Sequence, residues 1–213
     1  LSADYAPYEF HATVDGKDTI VGMDIEIAQK IADDMGVKLK IEEYGFDALI
    51  GALKTGKIDM IISGMSPTPE RLKEVDFSDP YMTVEQKVVV RKDDADKYTT
   101  VDSLKGLKVG AQKQSTQEEL ANNELHAKTV SLQKLPDVIL QLQNKKIEAA
   151  VIEGPVAEAY LTQNTDLTFA DIAFENGTKQ TAVAIPKGST DFSDSINQSI
   201  SEVLDQDLMT GYK

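Results

Sequence analysis

The chain has 213 residues, 41% of them apolar, and carries 36 acidic against 22 basic side chains for a formal charge of -14 at pH 7. That length accommodates one large or two small domains with a sizeable core, and the acidity excludes a nucleic-acid binder, which needs a cationic stripe to displace phosphate counterions. Cysteine is absent and the 2 histidines, His11 and His126, stand far apart, so disulfides, thiolate chemistry, metal sites and cofactors are not expected; no apolar run approaches the ~20 residues that span a bilayer.

In chain order, the aromatic turn Tyr5-Ala6-Pro7-Tyr8 comes first, and an isolated tyrosine such as Tyr5 is ordinarily a turn or core ring. Ile25, Ala28, Ile31, Ala32 and Met35 recur at helical spacing and Gly36 closes that helix. Val37, Leu39 and Ile41 alternate with charged residues, which predicts a half-buried strand. Phe46 opens the next helix, whose inner face is Ala48, Leu49, Ala52 and Leu53; it reads equally as a staple against Leu49 or Ile50. The branched apolar run 58–62 predicts a buried parallel strand.

The stretch that follows, Ser63 to Tyr81, begins where that strand ends, and ligands of open α/β sheets bind outside strand carboxyl ends. It offers Ser63, Gly64, Met65 and Ser66 as a loop of hydroxyls and free amides, then Arg71, whose planar fork of donors matches a carboxylate. The plainer alternative pairs Arg71 with Glu74 or Asp76. Val84 to Arg91 is predicted to cross between two lobes, and 180–185 to cross back. Between them the α/β alternation restarts, with a strand at 107–111 that leads to Gln112. Ser115 with Glu118 fits a capping box; its helix N-terminus, at Ser115 and Thr116, is a ready anion site or, as is commoner for this motif alone, simply a capped helix start. Pro136 opens a helix with Val138, Ile139 and Leu142 inward. The strand 147–152 ends at Glu153, an acid aimed at the strand-end crevice or, alternatively, one that answers a helix dipole. Ile196, Ile200, Val203 and Leu204 predict a last amphipathic helix that packs back on the first lobe.

The words SGMSPTPER and VDFSDPY, with GMDIEIA upstream, resemble nearly end to end the polar amino-acid-binding proteins of bacterial ABC importers, family 3 of the solute-binding proteins. The resemblance implies a two-lobed periplasmic binding protein-like (type II) α/β fold, each lobe a mostly parallel sheet flanked by helices. Lobe 1 would comprise 1–86 plus 184–213 and lobe 2 would comprise 87–183, with hinge strands near 84–91 and 180–186. It implies a free L-amino acid held by hinge closure. Tyr5 and Phe46 would wall the ligand; Arg71, Ser66, Ser115 and Thr116 would take its carboxylate; Glu153, Ser66 and the Gly64 carbonyl would take its ammonium.

Two departures bear on the cargo. The family more often has Asp where Glu153 stands, and its arginine, lysine and histidine receptors carry an acid three residues before the first aromatic, where this chain has Ser2. Gln112 and Gln117 suit an amide or guanidinium, so a polar or cationic amino acid, arginine or glutamine first, is the expected ligand. The protein is expected to act as a monomer, non-enzymatically, with the importer's membrane subunits as partner. Its place would be extracytoplasmic, in the periplasm or at the cell surface as a lipoprotein or permease-fused domain. A cyclohexadienyl-type dehydratase and a receptor's sensing domain share this fold and are the alternatives. Both termini read as trimmed, Leu1 entering midway through the family's first strand.

Overall fold

The computed structural model describes residues 1–205. The chain divides into two compact units, one formed by Leu1–Thr83 together with the chain from Gln180 onward, the other by Val84–Lys179.

The second unit is built on one sheet with strand order Thr178–Thr181, Met82–Arg91, Ala149–Glu153, Lys108–Gln112, Lys128–Leu132, and with Leu167–Phe169 also paired to Met82–Arg91. The pairs Lys108–Gln112 with Lys128–Leu132 and with Ala149–Glu153 are parallel, as short helical crossovers require; Met82–Arg91 runs antiparallel to Ala149–Glu153. Val88, Val90, Val109, Ala149 and Val151 meet Leu120, Ala121 and Leu125 in a single buried cluster. A strand buried on both faces needs the near-continuous apolar runs found here. Gly110 sits where a side chain would have no room: a Cβ there would lie 2.5 Å from Ile147 Cδ1 and 2.8 Å from Val138 Cγ1. Its absence lets Leu135–Gln143 pack close to the strand. Helix Leu135–Gln143 buries Val138, Ile139 and Leu142, as their spacing predicts.

The first unit opens with a three-stranded antiparallel sheet, Asp4–Tyr5, Glu9–Val14 and Lys17–Val21. Helix Met23–Asp34 follows, burying Ile27, Ala28, Ile31 and Ala32; of the residues expected inward, Met35 lies beyond its end and is exposed. Its entry is tight. Met23 N donates to Pro7 O at 3.0 Å and Asp24 N to Tyr8 O at 2.9 Å, and Gly22, at φ +128, lies so close that a Cβ would fall 2.2 Å from Tyr8 O. Helix Thr190–Asp205 packs on Met23–Asp34, where Ser199 Oγ donates to Asp34 at 2.6 Å and Lys30 pairs with both Asp34 and Glu202. Ile196, Ile200 and Val203 are buried there, whereas Leu204, expected inward, is exposed.

Two predicted strands of this unit are not formed. Residues 37–43 and 58–60 carry no strand assignment, and Ile61 makes only an isolated bridge to Ala184. A strand exists through its ladder, and among the described residues the main chain of 38–41 and of 58–60 takes no main-chain partner. At this edge Leu1 donates to Glu42 O at 3.1 Å and accepts from Tyr44 N at 3.0 Å. The crossing strand expected over 180–185 is also interrupted. Thr178–Thr181 and Ala184–Pro186 belong to different sheets, because Ala182 N is committed to Met65 O and Val183 N to Ser78 Oγ, each at 2.9 Å.

Candidate functional site

In the first unit Pro69–Leu72 forms one helical turn, with Pro69 in its first positions and the Thr68 side chain accepting from Arg71 N at 3.3 Å. A pre-set proline φ and a hydroxyl cap start a helix without an apolar face. This turn swings Arg71 inward to 9% exposure. Its guanidinium donates to Ser66 O at 2.9 Å and lies over the Phe46 ring, 5.4 Å from the centroid, a cation-π arrangement. The acids one turn on are engaged by other cations, Glu74 by Lys54 and Asp76 by Lys187, each at 2.6 Å. Ser66 Oγ is fully buried with no hydrogen-bond partner among the described residues. A buried hydroxyl in that state is costly unless something else satisfies it.

The loop before Arg71 rests on buried acids. Ser63 Oγ donates to Glu9 Oε1 in a short bond and accepts from Ser2 N at 3.1 Å. Gly64, at φ +52, donates its N–H to Asp24 Oδ2 at 2.9 Å, and Tyr81 Oη donates to Asp24 Oδ1 at 2.9 Å. Burial first, and the Asp24 charge second, push the Glu9 carboxyl well above the usual carboxylate range, which favours its neutral form. Tyr5 stacks on Tyr8 with ring centroids 5.7 Å apart and reaches the Gly64 backbone, where a Cβ would stand 3.2 Å from Tyr5 Cε1. Met65 turns its side chain into the apolar cluster of Leu49, Leu53, Ile61 and Val75, so it offers the loop only its main chain.

In the second unit, Gln112 and Glu153 end adjacent segments of one sheet, at the carboxyl ends of Lys108–Gln112 and Ala149–Glu153. Ser115 caps helix Thr116–Asn123, accepting from Glu118 N at 3.2 Å and donating to Gln112 O at 2.6 Å. The reciprocal half of the expected capping box does not form: the Glu118 carboxylate takes Gln114 N at 2.6 Å and the Ser131 hydroxyl instead. Gln112 Nε2 donates to Gln133 O at 3.3 Å. Thr116 Oγ1 accepts from Gln86 Nε2 at 3.4 Å, and Gln117 Nε2 donates to Gln86 Oε1 at 2.8 Å. Gln86 is also the ladder partner of Glu153. Glu153 is fully buried, and the Lys179 ammonium meets its Oε2 at 2.5 Å.

The structure therefore gathers Tyr5, Phe46, Ser63, Gly64, Ser66 and Arg71 in one unit and Gln112, Ser115, Thr116 and Glu153 in the other. Sequence reasoning passed over Glu9, Asp24, Tyr81, Gln86 and Lys179. Of these only Gln86 carried a local signal, a polar side chain on the otherwise apolar register of Met82, Val84, Val88 and Val90. No group of three His, Cys, Asp or Glu side chains among the described residues could hold a metal ion.

A profile of the bacterial extracellular solute-binding proteins, family 3, matches residues 1–210. The arginine-binding extracellular protein ArtP of Bacillus subtilis is 37% identical over 210 residues, covering 96% of this chain and 79% of ArtP. Among solved structures, the amino-acid ABC transporter substrate-binding protein AbpA of Streptococcus pneumoniae, bound to L-arginine, superposes with a TM-score of 0.96 at 38% identity, over 100% of this chain and 90% of that one. The ancestral amino acid-binding protein AncCDT-1, a precursor of cyclohexadienyl dehydratase, superposes at 0.88 with 32% identity, over 99% and 90% of the two chains. The fold is thus the mixed α/β, type II periplasmic binding protein fold. With its whole described length inside that match, the chain belongs to family 3 of the bacterial extracellular solute-binding proteins, a binding-protein family.

Proposed function

We propose that this protein captures a free L-amino acid, arginine before glutamine, outside the cytoplasmic membrane and delivers it to the membrane subunits of an ABC importer. The observation that carries the reading is the pairing of a buried Arg71, laid over Phe46, with the buried and unpartnered hydroxyl of Ser66. A carboxylate satisfies both at once, accepting from the guanidinium fork and from the hydroxyl. Within the second unit, Glu153 suits an ammonium and the capped helix start at Ser115 and Thr116 suits a carboxylate. Tyr5 and Phe46 wall the apolar stem.

Arginine is put first because ArtP carries it in its name and AbpA was solved with it bound, and because a chain of formal charge -14 draws a cationic solute toward it. Charge-assisted contacts contribute about 1.5 to 3 kcal/mol each, and a few of them with ring burial reach the roughly 8 kcal/mol of a micromolar complex. Retention of an intact zwitterion, not its conversion, is what such a set favours.

Calorimetric titration of the ligand-stripped protein with the common L-amino acids tests this. Micromolar or tighter binding of L-arginine is expected, weakened at least about 100-fold in Arg71→Ala through loss of the guanidinium contacts. Failure to bind any free amino acid would overturn the reading.

A further inference from the structure

Lys179 lies in the strand Thr178–Thr181, whose alternation turns residues 179 and 181 to the buried side while 178 and 180 face solvent. Its side chain is only 9% exposed and its Nζ sits 2.5 Å from Oε2 of the fully buried Glu153. Lysines are rarely buried to this degree unless paired, and the placement is supported from behind. The loop that leads to it is pinned by Glu124, which accepts from Glu175 N at 3.0 Å and Asn176 N at 2.9 Å, and by Gln86 N, which donates to Gly177 O at 2.8 Å. Lysine's ε-ammonium is also the same chemical group as the α-ammonium of a free amino acid: three N–H donors, one positive charge, no acceptor.

We propose that Lys179 is a built-in competitor for the ammonium seat. Its amine holds Glu153 in the place a ligand's α-ammonium would take, and must be displaced when an amino acid binds. The inference rests on the assignment of Glu153 to the ligand ammonium. It gives the site a filter, because only a solute that brings its own ammonium compensates Glu153 for the lost lysine. It also supplies the buried Glu153 with an opposite charge between ligands, and removing one partner of a buried ion pair is destabilising.

The test compares wild type with Lys179→Met, which keeps the stem and removes the amine, using L-arginine and its des-amino analogue 5-guanidinopentanoate as probes. Competition predicts that Lys179→Met binds L-arginine about tenfold more tightly, whereas its affinity for the des-amino probe stays within about twofold. It also predicts a crossed thermal signature: the ligand-free variant melts lower, since Glu153 loses the Lys179 ion pair, yet L-arginine raises its Tm by more than in wild type. Lys179→Gln, which retains a neutral donor, should shift affinity in the same direction and serves if the methionine variant folds poorly. Equal or weaker L-arginine binding in both variants overturns the competitor. Glu153→Gln separates the two levels. If it binds L-arginine like wild type, the ammonium seat is misassigned and the competitor falls with it; if it is crippled while the Lys179 variants are unchanged, only the competitor falls.

Discussion

Arg71 and Glu153 are both buried charges, but the two units hold them by different means. Glu153 ends a laddered strand, so its position follows from main-chain register with Met82–Arg91 and Lys108–Gln112, and an opposite charge from the same unit meets it. Arg71 stands on a single helical turn after an irregular loop. That loop owes its shape to side chains beneath it, Ser63 on Glu9 and Gly64 on Asp24. A site set by a ladder inherits the rigidity of the sheet. A site set by a buried hydrogen-bond network is only as rigid as each member's partner, so it is exposed to changes in protonation and packing that a ladder ignores.

Substitutions can break this comparison, and the largest effect is expected where the first unit's network depends on close approach. Gly22→Ala places a Cβ against Tyr8 O at a φ that L-residues rarely adopt, which should cost about 3 to 5 kcal/mol and, by displacing Asp24 from the Gly64 amide, should abolish L-arginine binding. Urea unfolding and calorimetry on one preparation check both. Gly110→Ala in the second unit meets side-chain atoms, Ile147 Cδ1 and Val138 Cγ1, rather than backbone. A loss of about 1 to 3 kcal/mol is expected, with L-arginine affinity retained because the ladder still places Glu153. If Gly110→Ala loses the ligand while Gly22→Ala keeps it, the contrast between the units is reversed.

The smallest effect is the most specific. Because burial raises the Glu9 carboxyl above its ordinary value of 4.5, its protonated form contributes stability in full below that value, and the contribution is lost as pH rises through the folded-state value. Glu9→Gln keeps an acceptor for Ser63 and has no proton to lose. It should therefore be more stable than wild type at pH 8 by about 1 to 2 kcal/mol, with the gap closing toward pH 4. Denaturant unfolding at the two pH values decides it; a gap that stays constant or widens in acid would remove the buried acid from the account of the loop.

Much of the second unit was legible because its signals are local. The runs at 107–111 and 147–152, the proline before Val138 and the serine before Thr116 each act on neighbours within a turn or a strand, and the elements formed close to where those signals stand. The predicted strands at 37–41 and 58–62 had the same quality of pattern, yet alternation sets only which face is apolar. A strand also needs a neighbour to bond, and there the ladder is missing. The capping box shows the same limit at smaller scale: Ser115 caps its helix as read, but Glu118 finds better donors in Gln114 N and Ser131.

By itself the sequence determined where two buried charges stand, a guanidinium after Thr68-Pro69 and a carboxylate at a strand's end, since proline geometry, hydroxyl capping and apolar runs are written in neighbouring residues. Tertiary structure alone decided what those groups meet. Glu9 reaches Ser63 across 54 positions of chain, and Lys179 reaches Glu153 from another strand of the sheet. Neither partner follows from spacing, because a buried charge takes whichever group the packed fold brings within reach.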